Sequence, residues 1–145
     1  MHTGARGAFR ESITLPVDRI AAELQRKLGQ RAVAYAAGIK SPKLVGRWAD
    51  KEGGHSPRPE HEKRLRALMY VVRVLQQDGY GDETVRAFIA GDNPDLGDKT
   101  PLDVIRAGHG SDAVRAATAF VGDQIVDPPD TARAARQRSP AESVT

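Results

Sequence analysis

Between Glu60 and Gln77, the residues Leu65, Leu68, Val72 and Leu75 recur at alternating gaps of three and four, and Met69 and Val71 widen the stripe. That spacing returns side chains to one side of an α-helix and scatters them over both faces of a strand. The chain is therefore expected to contain a long helix whose apolar stripe must be covered by other elements.

The flanking segments carry the same period. Val17, Ile20, Ala21, Leu24 and Leu28 predict a helix over Val17–Leu28, stopped by Gly29. Ala32, Val33, Ala36 and Ala37 predict a short helix over Gln30–Ala37, ending at Gly38. Ser41 as N-cap, with Pro42 in the first turn, opens a third helix through Leu44, Val45 and Trp48 to Asp50. Gly53, Gly54, Pro57 and Pro59 make the next stretch a loop. After the break at Asp78–Gly81, Asp82 is expected to cap a short helix with Val85, Phe88 and Ile89 inward. Thr100, Pro101 and Asp103 read as N-cap, first position and N3 of a helix that ends at Gly108. Ser111 is expected to cap the last helix, with Val114, Ala117, Thr118, Val121 and Ile125 on one face. No segment alternates like a strand and none repeats another, so the fold class is all-α. Residues 1–16, with Gly4, Arg6, Gly7 and Arg10 among scattered apolar residues, are expected to be a flexible arm. Residues 127–145, with Pro128-Pro129 and Ser139-Pro140, lack periodicity and are expected to be a disordered tail.

Charge divides the ordered part in two. Val17–Arg73 holds 13 Lys/Arg against 6 Asp/Glu, net +7, whereas Val74–Val126 holds 4 against 9, net −5. A basic block suits a phosphate-bearing partner and an acidic one would be repelled by it. Solvated helix faces that happen to fall this way explain the division equally well.

Within the basic block, residues 17–57 offer two short helices joined at a glycine, the second capped and basic, as a helix-turn-helix requires. Ala34 and Gly38 allow close approach, and Val45 and Trp48 would pack inward. The second helix would then present Lys40, Ser41, Lys43, Arg47 and Lys51 to the DNA major groove, with Gly46 beside them. Gln30 and Arg31, opening the preceding helix, would contact the phosphate backbone. An ordinary helical hairpin has the same pattern. Gln30, Ala34 and Gly38 stand at the spacing of the Xre, phage-repressor-like helix-turn-helix family, which this segment resembles. Val45 and Trp48 fall one residue later than that family's inward positions, which implies a turn one residue longer.

Residues 58–126 carry a second, more specific pattern: Phe88, Asn93-Pro94, Leu96, Gly97, then Pro101-Leu102-Asp103-Val104-Ile105 and Gly108. Physically, Asn93-Pro94 starts a rigid turn, Leu96 plugs it onto a core and Gly108 ends a helix with positive φ. Any small helical bundle needs such parts. In this order they resemble the toxin-binding domain of the Xre/MbcA/ParS antitoxin family, with Phe88 in place of the family's usual Trp. The resemblance implies an antitoxin of a type II toxin–antitoxin system that occludes a RES-domain, NAD-consuming toxin and represses its own operon. It implies a toxin-binding surface at Phe88, Asn93, Pro94, Leu96, Pro101, Leu102 and Ile105, and partners comprising a cognate RES-domain toxin and operator DNA. The chain end, with Arg133, Arg136 and Arg138, would lie in the toxin cleft or be trailing sequence.

Nothing in the sequence points to catalysis, and no catalytic residue, metal ligand or cofactor is expected. His2, His55, His61 and His109 are scattered, and His61-Glu62 lacks the second His of a zinc-protease helix. Gly79-Tyr80-Gly81 follows no strand and lacks a third Gly. Asp92, Asp95 and Asp98 lack the bidentate Glu of a calcium loop. Ser111 near His109 is a helix cap before it is a nucleophile. There is no cysteine, and so no disulfide or Cys-based zinc site. No apolar run is long enough to span a bilayer and MHTGARGAFRESITL lacks a secretory core, so the expectation is a cytoplasmic protein without a membrane partner. A palindromic operator would call for a homodimer, for which the Leu65–Leu75 stripe could extend into a seam. The alternative function is a stand-alone helix-turn-helix regulator whose C-terminal domain only dimerises; a third is a pure interaction module.

Overall fold

The punctuation by glycine and proline reappears in the computed structural model, which describes residues 4–126. Among these residues the chain forms α1 (Gly4–Thr14), α2 (Val17–Leu28), α3 (Gln30–Ala37), α4 (Pro42–Ala49), α5 (Pro59–Gln77), α6 (Asp82–Ala90), α7 (Pro101–Arg106) and α8 (Gly110–Val126). Single 3-10 turns lie at Lys51–Gly53 and Pro94–Leu96. There is no strand among the described residues, only one isolated bridge between Asn93 and Lys99. The protein is all-α.

The long helix α5 is the hub. Leu65, Leu68, Met69, Val71, Val72 and Leu75 are fully buried, and Val74 nearly so. At 3.6 residues per turn, the arc from Val74 to Met69 covers about 220° of the helix, far more than one neighbour can cover. Accordingly α1, α2, α3, α6, α7 and α8 all pack against it. Leu65, Leu68, Val72 and Leu75 are thus spent inside one chain and form no dimer seam. The core they anchor is continuous: Ile20 and Leu24 of α2, Val33 of α3, Val45 and Trp48 of α4, Ile89 of α6, Ile105 of α7 and Ala117 of α8 belong to one cluster. The expected boundary between residues 57 and 58 falls in a loop, but α5 serves the core on both sides of it.

The described part of the expected arm, residues 4–16, is not loose. Gly4–Thr14 is helical, with Ala8 fully buried and Ser12 nearly so. Two glycines weaken its intrinsic propensity, and what holds it comes from α5. Arg66 Nη1 donates to the carbonyls of Ser12 (3.0 Å) and Leu15 (2.9 Å), filling acceptors that a helix end leaves open. Arg73 Nε pairs with Glu11 at 2.7 Å, and its Nη1 with Glu23 of α2 at 2.8 Å. No local signal in Met1–Pro16 reveals partners more than 50 residues away.

Several local expectations shift by a residue. Ser41 occupies the N-cap of α4 but makes no side-chain cap bond. Gly81, not Asp82, is the N-cap of α6, and the Asp82 carboxylate instead accepts from Gln76 Nε2 at 2.7 Å. Helix α8 begins at Gly110, so Ser111 lies inside it. There Ala113, Ala116, Ala117 and Val121 are buried while Thr118 is exposed, a face rotated from the expected one. Gly110 explains the register: a Cβ on it would lie 2.5 Å from the Ala67 Cβ, so only glycine lets α8 start this close to α5. By contrast α7 matches expectation. Thr100 Oγ1 accepts from the Asp103 amide at 3.0 Å, and the Asp103 carboxylate returns a bond to the Thr100 amide. The stop at Gly108 has φ 92°. The expected tail, residues 127–145, lies outside the described residues, as does His2.

Candidate functional site

The turn between α3 and α4 is set by Gly38, which sits in the left-handed region at φ 85° and ψ 28°. That geometry turns the amides of Gly38 and Ile39 back onto the carbonyls of Tyr35 (3.1 Å) and Ala34 (3.0 Å), closing α3. Helix α4 then runs with Val45 and Trp48 buried. Trp48 stacks on His61 with centroids 6.1 Å apart, and His61 Nδ1 lies 2.6 Å from the Ala37 carbonyl, so α5 holds both helices. His61 is thereby a packing residue.

With one side of α4 committed to the core, the other is left to cations. Lys43 and Arg47 stand one turn apart, both exposed, and Lys40 and Lys51 flank the helix at either end, also exposed. Arg31 is exposed on the first turn of α3. Among the described residues none of these five pairs with a carboxylate. Ser41 is exposed, and its hydroxyl is not spent on capping. Gln30 differs from the rest of the expected DNA-binding set. It is half-buried, its Nε2 donates to Gln25 Oε1 at 2.9 Å, and it lies over Gly46, where a Cβ would meet it at 2.9 Å. It fits α3 against α4 and is not a free phosphate contact.

The expected partner-binding residues separate into two groups. Pro101 and Ile105, expected at the contact surface, are instead buried, Ile105 completely, and pack inward. Asn93 is a loop organiser. Its Oδ1 accepts from the Asp95 amide at 2.9 Å, its amide donates to the Lys99 carbonyl at 3.0 Å, and its carbonyl accepts from Leu96 and Asp98. What remains for a partner is Pro94, exposed, with the half-buried Phe88, Leu96 and Leu102. Phe88 rests on Phe120 at 5.2 Å, and Phe120 on Tyr80 at 5.5 Å. Asp82, Glu83, Asp92, Asp95 and Asp98 are all exposed on α6 and the loop that follows.

A bridge between the two regions escaped sequence reading. The Tyr35 hydroxyl donates to Asp103, while Arg106 Nη1 donates to the Tyr35 carbonyl at 2.7 Å and its guanidinium lies 4.6 Å over the ring. The Tyr35 bond, with a second from Thr100, holds the Asp103 carboxyl below its ordinary value, and the same carboxylate raises the Tyr35 phenol. The Tyr35–Asp103 bond spans 68 residues, and no local pattern announces it. Among the described residues no three His, Cys, Asp or Glu side chains gather as a metal site, and no helix is long and apolar enough to cross a membrane. The chain matches no family model, no curated protein and no solved structure.

Proposed function

We propose that this chain is a DNA-binding autorepressor and antitoxin: α3 and α4 act as a helix-turn-helix on operator DNA, and the α6–α7 face binds and occludes a RES-domain toxin. The observation that carries the reading is the outer group of Lys40, Lys43, Arg47 and Lys51. Lys43 and Arg47 are exposed one turn apart on α4, whose opposite side is anchored by Val45 and Trp48. Exposed Lys40 and Lys51 flank the helix, and none of the four pairs with a carboxylate among the described residues. Two cations on an eight-residue helix, with one more at each end, suit phosphate and guanine contacts in a major groove. The acidic loop around Pro94 and Leu96 would be repelled by the same DNA and is free for a protein partner. Operator reading by two copies on a two-fold site, in the cytoplasm, belongs to the proposal.

The toxin half rests on the Phe88–Gly108 resemblance, and the burial of Pro101 and Ile105 favours a second reading in which that stretch is architecture of a stand-alone regulator. Co-expression with the product of the adjacent gene separates the two. A stable complex that restores growth, and that Leu96→Asp breaks while the helical circular dichroism is kept, supports the antitoxin. Absence of a complex, with promoter binding retained, supports the regulator.

A further inference from the structure

Three large apolar side chains stand exposed among the described residues, and two of them, Phe9 (50%) and Ile13 (53%), lie one turn apart on α1. They form one wall of a groove of about 650 Å³ between α1, α5 and the start of α8. Ala67, Tyr70 and Val114 continue its apolar lining, the Tyr70 ring tilted against Phe9 with centroids 5.6 Å apart. Apolar area of this kind, left open at a concave site, marks a surface awaiting a partner.

The rim says which kind. Arg66 is consumed by Glu62 and by the carbonyls of Ser12 and Leu15. Lys63 and Arg64 have no carboxylate partner among the described residues. Arg64 makes a single long bond, 3.4 Å to the Glu60 carbonyl, and its Nε is buried without an acceptor. Glu60 is the one acid on the lining. The groove therefore combines an apolar slot with unspent cationic donors.

We propose that this groove docks a segment of a partner protein that lays two apolar side chains, one helical turn apart, against Phe9, Ile13 and Tyr70, and delivers a carboxylate to Arg64 and Lys63. A second copy paired about a two-fold axis through this groove would bring the same basic rim of both copies together. The chain's own residues 127–145 balance three acids against three arginines, but their apolar residues are only alanines, prolines and one valine, too small to fill the slot beside Phe9, Ile13 and Tyr70. The surface is separate from the Phe88–Leu102 face, of whose expected residues it shares only the buried Ile105.

The test is selection of phage-displayed random 16-residue peptides on the immobilised full chain, counter-selected on Ile13→Asp. The expected peptides carry apolar residues at i and i+3 or i+4 beside Asp or Glu. They bind Lys63→Glu/Arg64→Glu about tenfold more weakly, the scale of one lost charge-assisted bond, and bind Leu96→Asp unchanged. Ile13 is half exposed, so its substitution leaves the helical spectrum intact. No enrichment, basic or neutral peptides, or peptides indifferent to the charge reversal would overturn the proposal. So would a dimer in sedimentation that Ile13→Asp dissolves, because the occupant would then be a second copy.

Discussion

Replacing Gly110 by Ala places a methyl group 2.5 Å from the Ala67 Cβ, a separation that carbon atoms do not tolerate. Neither atom is the end of a flexible side chain, so α8 must move away from α5. Overpacking of this kind costs about 1–3 kcal/mol. Ala67→Gly alone removes one methyl and puts glycine inside a long helix, at about 1 kcal/mol. If the Gly110–Ala67 approach sets the register of α8, the double variant has the clash relieved and loses only the helical cost. Its destabilisation is then about 1 kcal/mol, where simple addition gives about 2–4 kcal/mol. Urea unfolding followed by circular dichroism measures this, with the fluorescence of the single Trp, buried Trp48, as a second probe. Each kcal/mol also moves the thermal midpoint by roughly 4 °C. Additivity within about 0.5 kcal/mol would refute the close-approach account. Non-coincident transitions of the two probes would refute the shared core on α5.

Three further outcomes follow from the same geometry. Burial alone would raise the Glu23 carboxyl, but Lys27 at 2.9 Å and Arg73 at 2.8 Å outweigh it and hold it below its ordinary value of 4.5. Stability from this group is therefore complete above that value and lost as pH falls through the lower folded-state value, so Glu23→Gln flattens the acid limb of a stability–pH profile. Tyr35→Phe removes the bond to Asp103, and a carboxyl-detected NMR titration should find the Asp103 pKa raised; an unchanged titration would remove the α3–α7 bridge from the account. Thr100→Ala removes the accepting oxygen of the α7 cap and should cost about 1 kcal/mol in urea unfolding, whereas Ser41→Ala, at a cap without a side-chain bond, should cost a few tenths at most.

What was legible in the sequence was local. Period and punctuation placed α2, α3 and the core stripe of α5, because apolar spacing and a glycine stop act within a few residues. The Thr100–Asp103 box is likewise an interaction across three positions. What was not legible depends on remote partners. Helix α1 is built by Arg66 and Arg73, the rotation of α8 by the approach of Gly110 to Ala67, and the α3–α7 bridge by Tyr35 and Asp103. Among candidate site residues, exposure of Lys40, Lys43, Arg47 and Lys51 followed from Val45 and Trp48 pointing inward. The burial of Ile105 did not show in its motif, because a residue on a short helix with buried neighbours reads the same whether it meets a core or a partner. The Phe9–Ile13 pair was masked for the opposite reason: without a helix over Gly4–Thr14, two apolar residues four apart form no face.

The most direct measurement is fluorescence anisotropy of a labelled fragment of the chain's own promoter, titrated over a series of salt concentrations. The account predicts binding whose affinity falls steeply with salt, and a log–log slope reduced by about 2 in Lys43→Ala/Arg47→Ala, one for each phosphate no longer neutralised. Lys63→Glu, on the α1–α5 groove, should leave that slope unchanged. A double variant that binds with the affinity and slope of the parent chain would contradict the assignment of α4 as the DNA-reading helix.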